Sequence, residues 1–218
     1  MPSPNPPSAD SITSLTEMIA EGLDELSLEA SKEQVGQLAQ LSELLGSWAK
    51  RINLTAHRTP GAVARRLVLD AAAMLSVVPD FESIADLGSG AGFPGLPIAI
   101  LRPQAQVTLV EARERRHHFQ RAAVREIGIS NAEPLRGRIE QLPAREHDAV
   151  VAQAVGPWAE VVALMIPWSK PGGTLILPAG KQAPSRSPDE RAQKPRVLRY
   201  SVPLGGSDRQ VWLAERAS

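Results

Sequence analysis

Ser83-Ile-Ala-Asp-Leu-Gly-Ser-Gly-Ala-Gly-Phe-Pro-Gly95 is a short apolar run that breaks into glycines at 88, 90, 92 and 95, then restarts after Pro94 as the apolar segment Gly95 to Leu101. A strand that ends in glycines and resumes as a helix brings bare backbone against a ligand, because no Cβ stands between them. The stretch therefore predicts a nucleotide-like cofactor site. Two spacings overlap in it. Gly90-x-Gly92-x-x-Gly95 matches the dinucleotide fingerprint, in which a pyrophosphate sits on the helix N-terminus. Gly88-x-Gly90-x-Gly92, with Asp86 two residues upstream, matches a loop that cradles the sulfonium amino acid and ribose of S-adenosyl-L-methionine. Pro94 favours the second spacing, because it removes an N–H donor where a dinucleotide phosphate needs one. The next strand pattern, Gln106-Val-Thr-Leu-Val-Glu111, ends in a carboxylate about 20 residues on, where either spacing places an acceptor for ribose hydroxyls.

From Ser83 onward, short apolar runs alternate with helical segments, the pattern of parallel strands joined by crossover helices. Strands are expected at 83–87, 106–111, 132–136, 147–152 and 173–177, with helices near 94–101, 113–127 and 157–166. Two further strands, 196–202 and 210–215, meet at Gly205-Gly-Ser-Asp208, a hairpin turn signal. The expected class is α/β: a Rossmann-like class I methyltransferase fold, with a seven-stranded, mostly parallel sheet, a C-terminal antiparallel hairpin and added N-terminal helices. Ligands of such a sheet sit at the carboxyl ends of its strands, where Gly88, Glu111, Arg138 to Glu140 and Gln153 converge. The 113–127 helix buries Phe119, Ala122, Ala123 and Ile127 and turns Arg115, Arg121 and Arg125 elsewhere. His117 and His118 adjoin on it but point about 100° apart, and no metal site is read there.

Upstream, residues 1–9 are Pro-rich and apolar-poor, and are expected to form a disordered tail. Residues 10–80 read as an N-terminal helical extension and 81–218 as the methyltransferase domain. Ile12, Leu15, Ile19, Leu23 and Leu26 recur at helical spacing. Ser31-Lys-Glu-Gln34 has capping-box form ahead of Val35, Leu38, Leu41, Leu45 and Trp48, the last read as a core or interface anchor. Thr59-Pro60 opens a third helix with the stripe Val63, Leu67, Ala71, Met74 and Val78; Arg65 and Arg66 fall off that stripe. Pro178 to Pro195 has no periodicity and is expected to be a long mobile loop beside the site.

The chain has 218 residues and zero formal net charge. Residues 1–49 carry eight acids and a single base, so the remainder is net +7, compatible with a polyanionic partner without demanding one. The absence of cysteine removes disulfides, thiolate metal sites and the covalent route to pyrimidine C5 methylation. No apolar run approaches the roughly 18 residues of a membrane span, and the N-terminus has no basic-then-apolar signal. A soluble, cytoplasmic, monomeric protein without membrane or metal partners is expected.

With these pieces placed, the chain resembles the RsmG (GidB) family of bacterial small-subunit ribosomal RNA methyltransferases, which methylate a guanine at N7. The resemblance runs from about Trp48 to Gly180. It rests on Trp48…Asn53-Leu-Thr55, Asp86-Leu-Gly-Ser-Gly-Ala-Gly-Phe-Pro-Gly-Leu-Pro97, Glu111 with the Arg-rich helix, Gly137-Arg-Ile-Glu140 and Lys170-Pro-Gly-Gly173. It implies S-adenosyl-L-methionine as cofactor and small-subunit ribosomal RNA, or the small ribosomal subunit, as partner. Carried over by position, Gly88 and Phe93 would contact the cofactor from the loop, Glu111 would hold the ribose hydroxyls, and Ile139 and Glu140 would lie beside the adenine; Gly90, Gly92 and Gln153 complete the expected cofactor-binding set.

Three positions depart from the family pattern. His-x-x-Asp-Ser is represented by Leu67, Asp70 and Ala71, Ser-Arg-Ala by Ala152-Gln153-Ala154, and Lys-Gly by Ala179-Gly180 with Lys181 one step late. The substitutions remove groups that hold RNA phosphate or the acceptor edge of guanine. They leave open a divergent methyltransferase with another RNA or small-molecule substrate, and a non-catalytic adenosylmethionine-binding paralogue. No catalytic side chain is expected, since guanine N7 has a free lone pair and no proton to lose; no Asn/Asp-Pro-Pro-Tyr motif for exocyclic amines occurs. Phe93, Trp158 and Trp168 are the rings expected near the substrate, with Trp158 open between the mouth of the site and the core.

Overall fold

The computed structural model describes residues 9–153, 156–179 and 183–218, with side chains from residue 14. Residues 1–8 of the expected tail lie outside it, and Ala9 opens the first helix, α1 (Ala9–Glu25). The capping box forms: Ser31 Oγ accepts from Gln34 N–H at 3.2 Å, Gln34 Oε1 accepts from Ser31 N–H at 2.8 Å, and α2 (Lys32–Ala49) follows. Thr59 caps α3 (Pro60–Val63), which continues through a π-helical turn, Ala64–Val68, into α4 (Leu69–Leu75).

The π turn departs from the expected regular stripe. It inserts an extra residue into the winding and rephases everything after it. Val63, Ala64, Val68, Leu69 and the run Ala71 to Leu75 are buried, whereas Leu67 is half-buried and Val78 falls beyond the helix end. Arg65 and Arg66 remain exposed.

The strands are β1 (Ser83–Leu87), β2 (Gln106–Glu111), β3 (Ala132–Arg136), β4 (His147–Ala152), β5 (Ser169–Ala179), β6 (Ala192–Ser201) and β7 (Asp208–Arg216). They pair in the order β3-β2-β1-β4-β5-β7-β6; the first five are parallel, and β7 runs antiparallel to both β5 and β6. The crossovers carry α5 (Gly95–Leu101), α6 (Glu114–Ile127) and α7 (Trp158–Met165). Successive parallel strands run outward on both sides of β1, so the ligand crevice of such a sheet falls at the carboxyl ends of β1, β2 and β4.

Two expected boundaries move. β5 starts at Ser169 and crosses Lys170-Pro-Gly-Gly173 as a bulge, with Gly172 at φ +77°, instead of starting after it. β6 starts at Ala192, paired with Arg216 and followed by Gln193 opposite Glu215, so the end of the expected mobile loop is a strand. Backbone pairing to β7 orders a stretch whose side chains show no period. The preceding turn is closed by Asp189, whose carboxylate accepts from the Arg191 N–H at 2.9 Å and from its guanidinium at 3.0 and 2.7 Å.

One core covers a whole sheet face and includes the N-terminal helices: Leu15, Ile19, Leu23, Leu38, Leu41 and Leu45 pack into the same cluster as Ile84, Leu109, Ile176 and Leu213. Trp48 meets Phe119 edge-on at 5.6 Å. On the opposite face Val150, Val162, Met165, Leu175 and Trp212 form the second core, and Trp158 packs edge-on against Trp212 at 5.9 Å. Trp158 is thus a half-buried ring packed on the edge of the second core. Trp168 corrects the expectation more sharply: it is fully buried at the amino ends of β4 and β5, stacked on His147 at 6.3 Å, away from the site. His147 spans Thr108 Oγ1 at 3.0 Å and the Trp168 carbonyl at 3.3 Å, and burial lowers its pKa, so it serves as a neutral strut.

Because the helices and the sheet share a core, Leu38→Ala is expected to destabilise the whole protein by about 2–5 kcal/mol. Urea titrations followed by far-UV circular dichroism and by tryptophan fluorescence should move together. Separate transitions would contradict the shared core.

Candidate active site

Behind the glycine loop stands Asp86, one residue before the end of β1 and only 1% exposed. Its Oδ2 accepts the Gly95 N–H at 2.9 Å, tying the start of α5 to the end of β1. Gly95 is required there, since a Cβ would strike the Leu109 side chain and approach Asp86 Oδ2 to 2.9 Å. The eight residues between must turn tightly, and Gly88, Gly90 and Gly92 take φ of +71°, +59° and +85°. The Phe93–Pro94 peptide is cis. Ser89 N–H reaches the Val110 carbonyl at 3.0 Å, laying the loop over the end of β2.

Gln120 secures the loop from α6, its Nε2 donating to Ser89 Oγ and to the Gly90 carbonyl, both at 2.8 Å. Sequence reading missed it. The available signal was a polar residue inside the buried stripe around Phe119, Ala122 and Ala123. Arg116, four residues earlier, was missed as well; its Nη1 lies 3.7 Å from Glu111 Oε2.

Glu111 ends β2 beside the loop, 5% exposed, with Oε1 accepting the Arg113 N–H at 2.7 Å. The Gly137 N–H donates to the Glu111 carbonyl at 3.2 Å, which brings half-buried Ile139 and exposed Glu140 to the same end of the sheet. Gln153, just past β4, is exposed and shares a cavity of about 30 Å³ with half-buried Phe93. The structure thus gathers Gly88, Gly90, Gly92, Phe93, Glu111, Ile139, Glu140 and Gln153 at one end of the sheet. Ala154, Gly180 and Lys181 lie outside the described residues.

The cavity between Phe93 and Gln153 also has Leu67, Asp70, Ala71 and Tyr200 in its wall. Two of the three departures from the family pattern therefore face the same space. Asp70 is held by the Tyr200 hydroxyl, which donates to Oδ1 at 3.2 Å, and by Arg209 Nε, 3.5 Å from Oδ2.

Space and charge fit a cationic cofactor with a ribose. A Cβ built on Gly90 would meet only Arg116 Nη1 at 3.9 Å and the Gly88 carbonyl at 4.0 Å, so the loop backbone is open at Gly90, whereas a Cβ on Gly92 would strike the Leu96 side chain. Asp86 Oδ1 and Gln120 Oε1 have no hydrogen-bond partner among the described residues. Burial pushes the Asp86 carboxyl up to about 7, opposed by the Gly95 hydrogen bond and reinforced by the nearby Glu111. Among the described residues no group of His, Asp and Glu could hold a metal, and no helix is long and apolar enough to cross a membrane.

Solved structures share this architecture. TYW2 of M. jannaschii in complex with AdoMet matches 77% of this chain and 78% of its own at TM-score 0.56 and 13% identity. A predicted O-methyltransferase from Agrobacterium tumefaciens matches 70% and 81% at TM-score 0.55 and 21% identity. The strand order, the terminal hairpin and the glycine loop after β1 define a class I methyltransferase fold. The rRNA small subunit methyltransferase G (GidB) family matches residues 34–206. Ribosomal RNA small subunit methyltransferase G of Chromohalobacter salexigens is 37% identical over 164 residues, covering 75% of this chain and 78% of its own. The Azoarcus sp. protein of that name is 35% identical over 189 residues, covering 85% and 87%. The chain belongs to the rRNA small subunit methyltransferase G family, whose members are adenosylmethionine-dependent.

Asp86 yields a pH prediction. Its folded pKa lies above the ordinary 3.8, so between about 4 and about 7 the folded state holds a proton that the unfolded chain releases. Its contribution to stability is therefore lost as pH rises through that window. Asp86→Asn keeps an acceptor for Gly95 but cannot ionise. Thermal melts without ligand should show the variant gaining on the wild type from about pH 5 to about pH 8; parallel profiles would contradict the buried-acid assignment.

Proposed function

We propose that this chain transfers the methyl group of S-adenosyl-L-methionine to N7 of a guanine in small-subunit ribosomal RNA, acting in the cytoplasm on the RNA or the subunit. The observation that carries this reading is the nearly buried Glu111 carboxylate standing beside an open glycine cradle at the carboxyl end of β1, in a member of this family. Gly88, Gly90 and Gly92 present backbone to the amino-acid portion of the cofactor. Glu111 accepts the ribose hydroxyls; an ionised carboxylate has about four lone-pair sites, so contacts to Arg113 and Arg116 leave capacity for them. Ile139 and Glu140 flank the adenine, and Phe93 and Gln153 face the methyl end.

The cofactor supplies a methyl already activated on a sulfonium, and guanine N7 has an exposed lone pair with no proton to remove, so neither a general base nor a covalent nucleophile is needed. The task left to the side chains is approach. Holding reacting atoms in line at about 3 Å can contribute up to about 7–11 kcal/mol. Phe93 offers a ring on which an unpaired base can stack, and the Gln153 amide can donate to the acceptor edge of guanine. With Leu67 and Ala71 apolar, that edge is read by Gln153 in place of the family arginine.

The test uses methyl-labelled adenosylmethionine and small ribosomal subunits that lack the modification. Label recovered as 7-methylguanosine after nucleoside digestion is the expected result. Label found only in free small molecules, or none with folded protein, would overturn the reading.

A further inference from the structure

Beside the mouth at Phe93 and Gln153, a larger cavity of about 190 Å³ opens between the π-helical turn and the β6–β7 turn. Arg65, Arg66 and Arg209 line it together with residues 202–207, and it shares Arg66 and Asp70 with the smaller cavity. The arginines reach it for separate structural reasons. The π turn leaves Arg65 and Arg66 exposed on its outer side, and neither is ion-paired among the described residues. Arg209 is steadied by Asp70, which is itself held by Tyr200, while its side chain stays 38% exposed.

The opposite wall is equally fixed. Leu204 and Gly205 adopt consecutive left-handed conformations, φ +58° and +68°, and the Leu204 N–H donates to Glu25 Oε2 of α1 at 2.9 Å. Asp70 is the one carboxylate in the lining, against three guanidinium groups, so the cavity is net basic. A water takes about 30 Å³ of liquid, so the cavity has room for a tetrahedral oxyanion. Guanidinium forks suit phosphate oxygens in pairs.

We propose that this cavity seats a backbone phosphate of the RNA strand, adjoining the nucleotide whose base enters between Phe93 and Gln153. The proposal rests on reading that mouth as the place of methyl transfer. The positive charge missing at positions 67 and 153 is supplied one step away, by Arg65 and Arg209 around the phosphate and by Arg66 where the two cavities join.

The test compares the wild type with Arg65→Gln/Arg66→Gln and Arg65→Lys/Arg66→Lys, measuring equilibrium binding of an unmodified small-subunit ribosomal RNA transcript over a salt series. An adenosylmethionine titration of each variant reports that the cofactor half is intact. The glutamine variant should bind about tenfold more weakly, with a salt slope shallower by about one to two, while the lysine variant keeps the wild-type slope. An unchanged slope in the glutamine variant would overturn the proposal. So would heat from inorganic phosphate lost in that variant while its RNA binding stayed intact, which would mark a free-anion site. Wild type that binds with the steep slope yet never methylates would overturn the proposed activity and leave the phosphate seat standing; glutamine variant that binds and methylates like wild type would do the reverse.

Discussion

The hydrogen bond from the Gly95 N–H to the buried Asp86 carboxylate is the contact on which the rest of the site depends. It closes the loop between β1 and α5 from behind, and only a glycine lets α5 come that near. Closing the loop over so few residues requires three left-handed glycines. That turn in turn carries the Ser89 N–H onto the Val110 carbonyl and sets the open cradle next to Glu111. The arrangement has a stability cost, because a carboxylate is held out of water with one oxygen unpartnered among the described residues and a second acid nearby. Proteins keep such local conflicts chiefly where function needs them.

Much of this was legible in the sequence. The central strands β1, β2 and β4 carry buried apolar runs and appear at their expected limits, as does the half-exposed edge strand β3, and the capping box and Thr59-Pro60 start their helices where their chemistry demands. Glycine spacing and the carboxylate at 111 located the cradle. What escaped was information carried by partners rather than by period. The π turn at Ala64–Val68 shows only in the rephased burial of α4, and β6 is ordered by hydrogen bonds to β7 that its polar residues do not announce. Gln120 is a single polar residue in an apolar stripe, and the Asp70–Tyr200–Arg209 cluster joins residues 130 positions and more apart. Trp168, expected near the substrate, instead precedes β5 at the amino end of the parallel sheet, opposite the glycine loop.

The substituted family positions acquire a common meaning in three dimensions. Leu67 and Gln153 are far apart in the chain yet line one small cavity with Phe93, whose lining holds one cation, Arg66, and one carboxylate, Asp70. Three arginines ring the adjoining cavity, and Arg66 belongs to both. Basic charge is thus concentrated in the larger cavity, suited to phosphate, beside a smaller one whose Phe93 and Gln153 suit stacking and amide recognition. The acidic N-terminal segment has a structural share in this: α1 packs into the main core, and its Glu25 holds the turn that forms the far wall of the basic cavity.

The central claim is that the carboxyl ends of β1 and β2 form a cofactor site built on the glycine loop and Glu111. A calorimetric titration of the purified protein with S-adenosyl-L-methionine, run beside Glu111→Ala, tests it most directly. Saturable micromolar binding by the wild type, lost in a variant that remains folded, is the predicted result. A folded wild type that gives no binding heat across a range of temperatures, or a variant that binds as tightly as wild type, would contradict it.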